Sequence, residues 1–149
     1  MAALDAGGPL EDAIHDAIQV AILRGHSYEH AFFRFQFANL SPAPGELMAA
    51  DLFNIWQQID AEFPGDPATS KHVRNAVPKE YADSRTDPAD PTKYSTGSIS
   101  GMEDFIAECA MLENDPRGIQ PELVPKCDLV RTVYARLRSR IVNYLKSAL

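Results

Sequence analysis

The chain has 149 residues, enough for one domain with a real core, and its 45% hydrophobic and 23% charged content is ordinary for a globular protein. The formal net charge of -7 is unevenly spread: Lys126 to Leu149 holds six basic residues against Asp128 alone, so the remainder carries -12. Such an acidic body disfavours nucleic acid as a partner, and no apolar run approaches the roughly 20 residues that span a bilayer, so no membrane association is expected.

Met1 to Pro9 lacks the basic and apolar regions of a secretory signal, and residues 1–8 are read as a flexible N-terminus. A first helix is expected from Pro9 to Arg24. Pro suits a helix start, Glu11 and Asp12 complement the positive end of the dipole, and Gly25 supplies the stop. Leu10, Ile14, Ile18 and Ile22, with Ala13, Ala17 and Ala21 beside them, form its apolar face. A second helix is expected from an N-cap at Ser27 to about Leu40. Its phenylalanines, Phe32, Phe33, Phe35 and Phe37, lie too close together for one narrow stripe.

A third helix over about Pro44 to Glu62 carries Leu52, Ile55, Trp56, Ile59 and Phe63 at helical spacing. From Asp66 to Ser98 the chain gains Pro67, Pro78, Pro88 and Pro91 and loses large apolar residues. It reads as one long polar loop with at most a turn of helix around Ser70 to Ala76. Ser100 and Glu103 match a capping box for a fourth helix, whose apolar face is Met102, Phe105, Ile106, Cys109 and Leu112. A fifth runs from about Asp128 to Ala148. The expected fold class is therefore all-α, about five helices in an orthogonal or bundle-like single domain over 1–149, with one long irregular loop at 66–98.

His26-Ser27-Tyr28-Glu29-His30 fits the pattern H-x-x-E-H and resembles the zinc site of inverzincin metallopeptidases of the pitrilysin type. The resemblance covers five residues. It implies His26 and His30 as zinc ligands, Glu29 as the base that activates water, and Glu103 or Glu108 as a distal ligand. Against it, Gly25 and an N-cap at Ser27 leave His26 outside the helix and spoil the i, i+4 geometry. The pattern is therefore assigned to a turn (His26) and the flank of a core face (His30), with a zinc hydrolase kept as an alternative. His15 and His72 have no partner pattern and are read as surface residues. The spacing of Asp83, Asp87 and Asp90 does not fit a calcium loop.

Cys109 and Cys127 have no metal-ligand spacing and do not read as a disulfide framework. They are expected as core thiols of a protein in a reducing compartment, cytoplasmic or within a viral particle. No catalytic residue, metal or cofactor is expected. The candidate interaction residues are the cations of the last helix, Arg131, Arg136, Arg138, Arg140 and Lys146. The function read from the sequence is a non-catalytic protein–protein interaction or assembly subunit, in a homo- or hetero-oligomer with other protein subunits. The alternative is a small nucleic-acid-associated subunit using the basic helix.

Overall fold

A computed structural model describes residues 9–38, 49–62, 71–95 and 97–148. Six helices and one two-stranded hairpin lie among them: α1 (Leu10–Arg24), α2 (Ser27–Phe35), α3 (Ala49–Glu62), α4 (Lys71–Ser84), β1 (Thr86–Asp87), β2 (Asp90–Tyr94), α5 (Ile99–Glu113) and α6 (Val124–Ala148). The domain is mostly helical, as the apolar periodicities require. The expected flexible segment 1–8, the start of the third helix at Pro44 and its last apolar position, Phe63, lie outside the described residues.

Helix α1 buries Leu10, Ala13, Ile14, Ala17, Ile18 and Ala21, one face at i, i+3, i+4 spacing. It stops at Gly25 because the chain there needs φ +70°, which a Cβ makes unfavourable. The Gly25 N–H then reaches the Ile22 carbonyl at 3.2 Å and the His26 N–H reaches the Ala21 carbonyl at 2.9 Å. That is the Schellman pairing, and it satisfies the last carbonyls of the helix.

Helix α2 is only nine residues long, shorter than expected, and nearly all round it is core. It packs on α1, α3 and α4, and Phe32, Phe33 and Phe35 are all buried. A helix covered on several sides needs no single stripe, which resolves the crowded phenylalanines. Phe33 meets Tyr144 of α6 edge-on at 5.2 Å, and Phe35 meets both Trp56 of α3 at 5.3 Å and Tyr81 of α4 at 5.7 Å.

The stretch expected as an irregular loop instead holds α4 and the hairpin. Helix α4 buries Val73, Val77 and Tyr81, three anchors four residues apart. Pro78 sits inside it. A mid-helix Pro lacks an N–H for the preceding turn, so it reads as a breaker in sequence. The anchors' burial against α2 outweighs that loss. Strands β1 and β2 pair antiparallel, with Thr86 opposite Tyr94 and Asp87 opposite Asp90 across a register irregularity. The acidic residues here are turn-makers: Asp87 Oδ1 accepts from the Ala89 N–H at 2.9 Å, and Asp90 Oδ1 from the Thr92 N–H at 3.1 Å.

Helix α5 is capped by Ser98, whose hydroxyl accepts from the Gly101 N–H at 3.3 Å. Ser100 is thus not the cap and Glu103 is not a capping-box partner. Glu103 Oε2 instead accepts from the Leu10 N–H at 3.0 Å and the Tyr134 hydroxyl at 2.9 Å, joining the start of α1 to α5 and α6. Helix α6 begins at Val124, one turn earlier than expected, because Pro125 is tolerated in a first turn.

Cys109 and Cys127 are both buried and are joined as a disulfide between α5 and α6, with Cα atoms 6.1 Å apart. This corrects the expectation of two separate thiols. Their spacing carried no pairing signal because the crossing of two helices, not sequence distance, brings them together. Closing a loop over a separation of 18 residues stabilises a fold by about 3 kcal/mol. Urea unfolding should therefore show a reduced chain, or Cys127→Ser, destabilised by about that amount. Coincident curves with and without reductant would contradict it.

Candidate interaction surface and buried cations

Four of the five α6 cations expected to face a partner also contact their own domain while staying partly exposed. Arg131 pairs with Glu113 of α5 at 2.6 Å. Arg136 donates to the Ser84 carbonyl at 3.0 Å, one that the end of α4 leaves open, and to the Thr86 carbonyl of β1 at 2.7 Å. Arg138 donates to the Tyr134 hydroxyl at 3.3 Å and lies 5.4 Å above that ring. Arg140 reaches Glu80 of α4 at 3.3 Å and covers the rings of Phe32 and Phe33 at 5.1 and 5.7 Å. Of the five, Lys146 alone is exposed, and the four arginines are half-buried. Arg131, Arg136 and Arg140 thus tie α6 to α5, to α4 and to α2, while Arg138 contacts a ring of its own helix.

The H-x-x-E-H residues diverge. His26 lies before α2, as its neighbours predict, and its Nδ1 is hydrogen-bonded to the Tyr144 hydroxyl at 2.8 Å. His30 is fully buried on α2, with Nε2 3.3 Å from Glu62 Oε1 of α3. Arg34, one turn on, pairs with the same carboxylate. Glu103 serves α1 and Tyr134, and Glu108 is exposed on α5. Among the described residues no three His, Cys, Asp or Glu side chains gather as a metal site would require. No helix among them is long and apolar enough to cross a membrane.

A cation that sequence reading passed over sits deepest. Arg85, just past α4, has no solvent exposure. It donates to the Gly97 carbonyl at 2.6 Å and to Gln36 Oε1 at 3.0 Å, and stands 4.9 Å above the Tyr81 ring. No carboxylate pairs with it among the described residues. Burial pushes its pKa down, with Tyr81 opposing, yet a guanidinium starts high enough to keep its charge. In sequence Arg85 is one polar residue among many in a polar stretch, and only the packing shows it.

Two outward helix faces carry lines of carboxylates. On α1, Asp12, Asp16, Gln19 and Leu23 are exposed at i, i+4, i+7 and i+11, and on α5, Asp104, Glu108 and Met111 are exposed at i, i+4 and i+7. Each line is two carboxylates, without cationic partners among the described residues, ending in a large apolar residue. Leu23 is 85% exposed and Met111 74%. The two helices pack together.

No protein-family model, no curated protein and no solved structure matches the chain.

Two outcomes follow for the buried charges. Burial holds the His30 pKa below its usual 6.5, outweighing the pull of Glu62 the other way. Below pH 6.5 the unfolded chain therefore takes up a proton that the folded one resists, so stability falls with pH from there towards the folded value. For Glu62 burial raises the pKa, but Arg34 and then His30 outweigh it and hold it below 4.5, adding a second loss at lower pH. Urea titrations should show His30→Gln flattening the first loss and leaving the second. Separately, Arg136→Ala should destabilise the fold by about 1–3 kcal/mol by stranding two half-covered carbonyls, with Arg136→Lys recovering only part.

Proposed function

We propose that the protein is a non-catalytic interaction or assembly subunit that binds another protein through the exposed faces of α1 and α5. The observation that carries this reading is the pair of unpartnered carboxylate lines, each ending in an exposed apolar side chain, Leu23 on one and Met111 on the other. Exposed carboxylates contribute little affinity but steer an oppositely charged partner, while apolar anchors that lose their water carry the binding energy. The partner that fits is basic, with apolar pockets for two anchors.

With four of the five α6 cations engaged inside the domain, the last helix of a second copy offers a poor complement to these acidic faces. That favours a hetero-oligomer over a homo-oligomer. It also weakens the nucleic-acid reading, which depended on the same cations. The Cys109–Cys127 bond favours an oxidising setting over the reducing cytoplasm expected from the cysteine count.

Size-exclusion chromatography with light scattering, read at 260 and 280 nm, tests this on protein isolated from its own source. A co-eluting protein without nucleic-acid absorbance is expected, released in 1 M salt, where charges are screened beyond about 3 Å. The Asp104→Lys/Glu108→Lys/Met111→Ser variant should bind that protein at least about tenfold more weakly. A bare monomer, raised absorbance at 260 nm, or a complex indifferent to the variant would each overturn the proposal.

A further inference from the structure

Helix α5 is fixed to the core at its start and not at its end. Ile99 and Met102 belong to the hydrophobic core, and Glu103 joins α5 to Leu10 and Tyr134. Beyond Met102 no apolar side chain of α5 belongs to that core or packs against it. Of residues 103–132, all of them described, Cys109 and Cys127 alone are buried, and they are bonded to each other. Neither is part of the main core.

Open space flanks the bond on both sides. A cavity of about 460 Å³ separates Met102 and Phe105 of α5 from Leu129 and Val130 of α6. Another of about 420 Å³ lies beside Leu112, Arg117 and Leu123, towards the connection between the helices. Side chains that face open space forfeit the dispersion contacts that hold packed helices together. Among the described residues, the polar tie from residues 104–113 to α6 is the Glu113–Arg131 ion pair, whose two side chains are 42% and 36% exposed. A pair so accessible to solvent contributes little. An undocked helical stretch this short frays in water. The disulfide opposes that fraying, because it limits the freedom that the chain between its two ends gains on opening.

We propose that the Cys109–Cys127 bond is a redox-controlled staple. Oxidised, it docks the second half of α5 on α6; reduced, it releases residues 104–123 while the rest of the domain stays folded. Each cysteine has exposed neighbours in the chain, Glu108 and Ala110, Lys126 and Asp128, so fraying of a single turn brings a reductant to the bond. The reductant is a dithiol. One of its thiolates attacks a sulfur of the bond, and its second thiolate resolves the mixed disulfide. Its two protons end on Cys109 and Cys127, and it leaves as a disulfide. Release uncovers the half-buried Phe105, Ile106 and Leu112 and takes apart the line of Asp104, Glu108 and Met111. Reduction then removes one of the two faces assigned to a partner, a consequence that rests on the interaction reading above.

Hydrogen–deuterium exchange on the full chain, oxidised and then reduced with dithiothreitol, tests the staple. On reduction the amides of residues 104–113 should exchange at least about tenfold faster, while those of α1 and of residues 133–148 stay at least about a hundredfold slower than an unprotected peptide. The Cys109→Ser/Cys127→Ser variant should match the reduced chain without reductant. Oxidised glutathione should restore slow exchange in the natural chain and leave the variant unchanged. Exchange over residues 104–113 that ignores reduction, protection lost from α1 together with them, or no recovery with glutathione would each overturn the proposal. The measurement needs no partner, so a failed search for one leaves the staple standing, and a failed staple leaves the α1 face untouched.

Discussion

Placing a guanidinium in a protein core without a carboxylate beside it is expensive, and a fold that does so must supply oriented dipoles in exchange. Arg85 receives them from Gln36 Oε1, from the Gly97 carbonyl and from the face of the Tyr81 ring. Gln36 is itself fully buried and donates to the Phe32 carbonyl at 2.9 Å, while its own backbone carbonyl accepts from the Ile99 N–H at 2.8 Å. One polar cluster thus ties the end of α2, the end of α4, the segment after β2 and the start of α5. Helix α5 sets off in its direction because of that cluster, and with it the acidic face, the disulfide and the cavity.

Around this centre the structure spends its positive charge on itself. Arg140 lies over Phe32 and Phe33 while reaching Glu80, Arg136 closes the end of α4, and Arg34 shares Glu62 with His30. Arg140 and Arg34 each serve a ring and a carboxylate at once, which an ammonium cannot do as well. What is left outside on α1 and α5 includes two lines of carboxylates, at Asp12 and Asp16 and at Asp104 and Glu108. With the arginines of α6 engaged inside the domain, a chain with a basic last helix still presents acidic faces on α1 and α5, which suit a basic partner.

The segment 71–95 shows how tertiary contact decides a marginal sequence. Helix α4 has three apolar anchors, a central Pro and little else in its favour, and alone it would not hold. Against α2 its anchors bury completely or nearly so, and its last turn is finished by Arg136 from a helix fifty residues away. The hairpin that follows is too short to stand alone. It is held where β1 meets α6 and where Arg85 and Ser95 join across its base.

Helical periodicity made α1, α3, α5 and α6 legible in the residues alone, together with the glycine stop at Gly25, the place of His26 outside its helix and the mostly helical class. Those features are local, since spacing, capping and glycine's freedom act within a few residues. The helix at 71–84, the roles of Glu103 and Arg85, the Cys109–Cys127 bond and the contacts of the α6 arginines within the domain were not legible. Each depends on which partner a side chain meets across the fold, and composition reports how many charges a helix carries but not the side on which another helix will cover them. The packing of six helices decided that, and so decided which surface and which cavity this protein presents.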